Sequence, residues 1–144
     1  MGKNSFYVSV RSFVENLDDF GLTESTESDT ATAPCEFAVR GGASRIIYKT
    51  ENDGVSTQTE ITVTKRGAKL VRHGGIESVM EFSEGEITKT LYRIPPYAFD
   101  AEIDTKRVCG SFTEDGGTLE LLYLLSIGGA KKKMRLSLTV GRGA

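Results

Sequence analysis

From Ile76 to Thr105 the chain reads IESVMEFSEGEITKTLYRIPPYAFDAEIDT, and for most of that length apolar side chains fall at every second position. Ile76, Ser78, Met80 and Phe82 share one face of an extended segment, with Glu77, Val79 and Glu81 opposite. Glu84-Gly85 turns the chain, Ile87 to Tyr92 returns, and Pro95-Pro96 interrupts the pairing. Phe99, Ala101, Ile103 and Thr105 then alternate against Asp100, Glu102, Asp104 and Lys106. A period of two, with carboxylates opposing the apolar set, suits strands that bury one face and wet the other.

The same rule organises the rest of the chain. Phe6, Val8, Val10, Ser12 and Val14 alternate with Tyr7, Ser9, Arg11 and Phe13, which predicts a first strand. Residues 15–33 are acidic and rich in Ser and Thr, with TESTESDTATA at their centre. Such a composition buries little, so 15–33 is expected as a flexible, solvated loop. Pro34 then opens an edge strand with Cys35, Phe37 and Val39 facing in. Gly41-Gly42 turns into Arg45–Thr50, and Asn52-Asp53-Gly54 signals a hairpin, because Asp-Gly tolerates the positive φ of tight turns. Val55, Thr57, Thr59, Ile61 and Val63 share the next face; Lys65-Arg66-Gly67 leads to Leu70–His73 and Gly74-Gly75. Beyond the central stretch come Val108–Thr113, a Glu114–Gly117 turn, Thr118–Ile127, Gly128-Gly129 and Lys132–Val140.

Short strands, glycine turns and no amphipathic helix predict an all-β fold: one antiparallel meander over 1–144, a single domain. Closing it into a barrel of about eight to ten strands would protect its edges. Leu119, Leu121, Tyr123, Leu125 and Ile127 supply an inward face, yet Leu122 and Leu124 lie on the other. That implies a second covered surface, under the 15–33 segment or against another subunit.

A chain of 144 residues suits one core, and a net charge of −2 recruits neither nucleic acid nor an anionic membrane. Acids crowd Glu15 to Thr32, while Lys131, Lys132, Lys133, Arg135 and Arg142 dominate the end. Alternation sets Lys131, Lys133 and Arg135 opposite Met134, Leu136 and Leu138 with no aromatic interleaved, which reads as a solvated edge. No apolar run approaches the ~20 residues of a membrane helix, and Met1–Ser5 leads into strand without an apolar leader. The expected location is cytoplasmic, with Cys35 and Cys109 as buried, reduced thiols. Two cysteines and one histidine do not make a zinc site, and no metal or cofactor is expected.

Several spaced motifs occur in one order: Arg72-x-Gly74, Ser78-x-Met80-x-Phe82-x-x-Gly85, Tyr92-Arg93-Ile94-Pro95-Pro96-Tyr97, Ile103-Asp104-Thr105, and Leu119-Glu120-Leu121-Leu122-Tyr123-Leu124-Leu125. Over roughly residues 40–140 this pattern resembles the YwiB-like family of uncharacterised bacterial proteins. The resemblance implies a small calycin-like barrel, similar to lipocalins, and no established activity, cofactor or catalytic residue. The chain departs from the family pattern at Ile94 and Ala98, where that pattern has Thr and Gly.

Of the residues with chemistry to offer, Arg72 stands out. In the register of Leu70 it enters the barrel, where a guanidinium must be paired or face a polar cavity. An internal salt bridge or rim contact is the first reading, with Glu60 as partner if a bulge shifts its register; an anion anchor is the second. Tyr48, Tyr92 and Tyr123 suit a filled core or a pocket wall, as do Met80 and Phe82. His73 falls opposite Leu70 and points outward, so no histidine-dependent catalysis is expected. Asp100, Glu102 and Asp104 lie on a wet face, and no glycine pair makes a phosphate loop.

The leading expectation is non-catalytic binding of a small amphipathic or hydrophobic ligand inside the barrel. Arg72, Tyr92 and Tyr123 would be its polar contacts, Met80 and Phe82 its wall, and Tyr48 part of the lining. The alternative is a structural or interaction module with a filled barrel, a homodimer using Leu122, Leu124 and the acidic segment. An enzyme is least favoured.

Overall fold

The computed structural model describes residues 5–143. Met1–Asn4, read above for a leader, lie outside them. Ten strands follow in chain order: β1 (Phe6–Leu17), β2 (Thr23–Arg40), β3 (Ala43–Asn52), β4 (Val55–Thr64), β5 (Gly67–Gly74), β6 (Ser78–Phe82), β7 (Ile87–Ile94), β8 (Tyr97–Thr113), β9 (Gly116–Ile127) and β10 (Ala130–Arg142). They form one sheet, in the order β6-β5-β4-β3-β2-β1-β10-β9-β8-β7, with every ladder antiparallel. The predicted meander is therefore present, and it rolls into a nearly closed barrel.

Closure is made by two different contacts. β1 and β10 pair along their whole length, from Phe6 with Arg142 to Leu17 with Lys131. The remaining seam falls between β6 and β7, which are neighbours in sequence. There a single bridge joins Glu77 to Arg93 through two backbone hydrogen bonds of 2.8 Å. The Thr88 hydroxyl donates to the Glu81 carbonyl at 2.9 Å further along.

The period of two builds the core directly. Val8, Ile46, Ile61, Leu70, Ile103, Leu119, Leu121 and Leu138 all face inward and are buried. Each such side chain contributes roughly 1.5–3 kcal/mol relative to exposure. One end of the barrel is plugged by aromatics: Phe37 lies 5.1 Å from Phe6 and 5.8 Å from Phe112, ring centre to ring centre. Arg142 sits over the Phe6 ring at 4.9 Å and pairs with Asp115 at 2.9 Å. The opposite end carries the turns before β2, β4, β6, β8 and β10 and forms the mouth.

Three features differ from expectation. Residues 15–33 are not a loop but a long hairpin arm: β1 runs to Leu17, and the Asp18 carboxylate accepts hydrogen bonds from the backbone N–H groups of Phe20 and Leu22, 2.9 Å each. The composition does deny this arm burial, for Thr23 to Thr30 are all exposed. Pairing with β1 nonetheless satisfies its backbone, and threonine suits a pleated strand. The β2–β3 ladder stops at Cys35 opposite Tyr48, next to Pro34, which has no N–H to donate, so the arm rises free of β3.

Secondly, a bulge between Thr105 and Arg107 switches the inward set of β8 from Ala101, Ile103 and Thr105 to Val108 and Phe112. Cys109 is thereby turned outward and is exposed, not buried, while Cys35 is half-buried. The β6–β7 turn grips this bulge: Gly85 N–H donates to the Thr105 carbonyl at 2.9 Å, and Val108 N–H donates to the Glu84 carboxylate at 2.8 Å.

Thirdly, the 15–33 segment pairs with β1 and, among the described residues, does not cover Leu122 and Leu124. They are half-buried beside cross-strand neighbours, Arg107 and Arg135 for the first and Asp104 and Lys133 for the second. Aliphatic stems of charged side chains cover apolar neighbours at such spacing. Among the described residues no helix is long and apolar enough to cross a membrane.

Candidate functional site

Because β2 leaves β3 above Tyr48, the barrel interior opens at its mouth into a recess of about 250 Å³. Val10 and Ser12 of β1, Asp29 and Ala31 of β2, and Tyr48 and Thr50 of β3 line one side. Asn52 at the end of β3, Val55, Thr57 and Thr59 of β4, Arg72 of β5, Ile76 between β5 and β6, and Leu136 of β10 complete it. Larger depressions, of about 470 and 490 Å³, lie on the outer wall over β4–β6 and along the β6–β7 seam. Arg72 borders both the seam depression and the recess, but only the recess is lined by the inward faces of β1 to β4 as well.

Arg72 is placed inward by the register of Leu70 and set across from Thr59 on β4 and Ser78 on β6. It is half-buried, and among the described residues no ion pair includes it. Glu60, the expected internal partner, faces outward instead. No bulge interrupts β4, and Arg45 grips the Glu60 carboxylate through two hydrogen bonds of 3.1 Å.

Two tyrosines, Tyr48 and Tyr123, feel the charge of the guanidinium, and Tyr92 neighbours Tyr123. Burial raises the Tyr48 hydroxyl above its ordinary range, opposed by the Arg72 charge and by a hydrogen bond with Thr59. Burial pushes Tyr123 up to about 12; Arg72 works against that rise and neighbouring Tyr92 adds to it. Both Tyr48 and Tyr123 are therefore neutral near pH 7, with hydroxyls able to donate. Beside them the Ser78 and Thr105 hydroxyls are buried with no protein partner. Of the expected polar contacts, Arg72 and Tyr48 line the recess, whereas Tyr123 and its neighbour Tyr92 do not.

Met80 and Phe82 belong elsewhere. They are 3% and 2% exposed, packed into the core, and do not reach the recess lining. The Phe82 ring lies 4.7 Å from that of Tyr123 and holds it in place. His73 is exposed on the outer wall, 3.3 Å from Glu77. Burial pushes the Cys35 thiol up, away from the reactive thiolate. Among the described residues no group of three or more His, Cys, Asp or Glu side chains is placed to hold a metal ion.

Asp29 was missed by sequence reasoning, because it sat in a supposed loop. The signal was present: Ser12 faces inward, and a strand returning antiparallel to it places Asp29 opposite. Ala31 and Ala33 continue the same face toward the core.

Comparison with known proteins agrees with this architecture. Residues 19–138 match the model of a family described as a domain of unknown function, DUF1934. The crystal structure of the ywiB protein from Bacillus subtilis is similar at a TM-score of 0.79. The likeness spans 98% of this chain and 93% of that one at 20% identity, which speaks to the fold. Curated proteins show no match.

Proposed function

The chain belongs to the YwiB-like DUF1934 family, whose description assigns no function, and from the chemistry of its barrel mouth we propose that it binds a small amphipathic molecule without catalysis, through an anionic group held by Arg72. One observation carries this reading: a half-buried guanidinium faces a recess and has no ion-pair partner among the described residues. An unpaired inward charge lowers stability, and an anion at that position offsets the penalty with charge-assisted hydrogen bonds.

The surroundings support a small occupant. Drug-sized ligands fill clefts of roughly 300–1,000 Å³, and this recess is slightly smaller. Tyr48 offers a neutral hydroxyl in the lining, and Tyr123, with Tyr92 beside it, lies outside the lining but within reach of the Arg72 charge. Val10 and Leu136 provide the apolar wall, with Met80 and Phe82 as rigid packing behind it. The lone histidine lies outside the recess, which argues for retention of a ligand rather than its conversion.

Titration with hexanoate, followed by tyrosine fluorescence, tests the proposal. Saturable binding is expected, with Arg72→Met weakening it at least tenfold while thermal stability holds or rises, because the unpaired charge is gone. Absence of binding in the parent, together with marked destabilisation by Arg72→Met, would make the arginine a structural group and end the proposal.

A second reading, a homodimeric interaction module, draws on the tip of the arm, where Phe20 is 89% and Leu22 66% exposed. Sedimentation of the parent chain at high concentration tests it directly; a monomer throughout rules it out.

A further inference from the structure

Arg72 is not the only charge facing the recess. Asp29, on β2, lines the same space from the arm, while Arg72 lines it from β5. The two are not paired with each other, and no side-chain hydrogen bond or ion pair among the described residues includes Asp29. The next acid outward on that face, Glu27, is engaged by the Asn16 amide at 3.0 Å. Among the described residues the recess therefore presents one free cation and one free carboxylate, from different strands, across a space of amino-acid size.

Resting on the anion-anchor reading above, we infer that the ligand is a small zwitterion of the amino-acid class, with its carboxylate on Arg72 and its ammonium on Asp29. Charge balance carries the inference. A simple carboxylate would satisfy Arg72 while facing the Asp29 carboxylate across the same space, and a simple amine would face the guanidinium. A molecule carrying both charges meets both groups and leaves neither uncompensated. Each end also finds neutral donors or acceptors. Tyr48 and Thr59, both more than nine-tenths buried, lie at the Arg72 side, and Ser12 is the cross-strand partner of Asp29. Val10, Ala31 and Leu136 leave an apolar wall for the side chain.

The test uses the full chain, labelled for NMR and titrated with each of the twenty L-amino acids. The strongest binder is then compared with its deaminated acid and its decarboxylated amine. The amino acid is expected to bind at least tenfold more tightly than either, shifting the Arg72 side-chain N–H and the Asp29 carboxyl resonances. Asp29→Asn should reduce its affinity to that of the acid, leaving the acid's own affinity equal or better; Asp29→Glu should restore part of the preference. Asp29 is exposed, so the spectrum of Asp29→Asn should otherwise match the parent. If acids bind as tightly as amino acids, or Asp29→Asn changes nothing, the zwitterion is wrong and the anion reading stands. If neither class binds, both fall.

Discussion

Tyr123 shows how one residue's surroundings become a property of the whole molecule. Its ordinary value is 10.0, and in the fold it keeps its proton to about 12, chiefly because burial disfavours phenolate. A folded-state value above the unfolded one gives stability that is complete below pH 10 and lost as pH climbs toward 12. Two units correspond to at most about 3 kcal/mol, with Tyr48 shifted in the same direction. In urea melts between pH 9 and 12, Tyr123→Phe is expected to lose less stability than the parent; equal losses would mean that Tyr123 ionises without resistance. The inward placement of Arg72 was legible in the sequence, because Leu70 fixes the face and the count of two does the rest. The placement of Glu60 was legible for the same reason once no bulge intervened. Asp29 was obscured, because serine, threonine and acids carry no apolar period from which to read a face.

Among the elements, glycines at strand starts separate space from conformation. Gly67 opens β5 with φ of 153°, and a Cβ there would overlap the Phe82 carbonyl across the ladder. Gly129, in the β9–β10 turn, has φ of 83° but open space around it. Gly67→Ala is therefore expected to cost at least about 3 kcal/mol, and Gly129→Ala about 1–2 kcal/mol from backbone strain alone. Midpoints of urea unfolding give the comparison, and equal midpoints would refute the steric account. Turns of this kind were the most legible part of the chain: Asp53-Gly54 has positive φ at both residues, 52° and 77°, as its sequence requires. Two elements were not legible. The arm at 15–33 is held by backbone pairing to β1, which composition does not report. The β8 bulge adds one residue without any mark in the sequence, and that single step turns Cys109 outward.

At the scale of the whole molecule, the number of strands and their up-and-down order could be read from turns and alternation, but which edges meet could not. Edge contact is decided by sheet twist and curvature, summed over all ten strands. The outcome is unusual in one respect: the first and last strands zip completely, and the incomplete seam lies between two strands adjacent in sequence. Ser5 and Gly143 are already joined by a backbone hydrogen bond of 2.8 Å. A circular permutant opened at Gly85, with residues 143 and 5 spliced by a short linker, would turn sheet order into chain order from β7 through β10 and β1 to β6. Its most distant ladder, Phe6 with Arg142, would become a local hairpin. Rates rise as contacts grow more local, so stopped-flow refolding should run faster than in the parent, at the same strand content by circular dichroism. Nature wound this cylinder from its middle outward, and rewiring it would leave the wall intact while shortening the search that builds it.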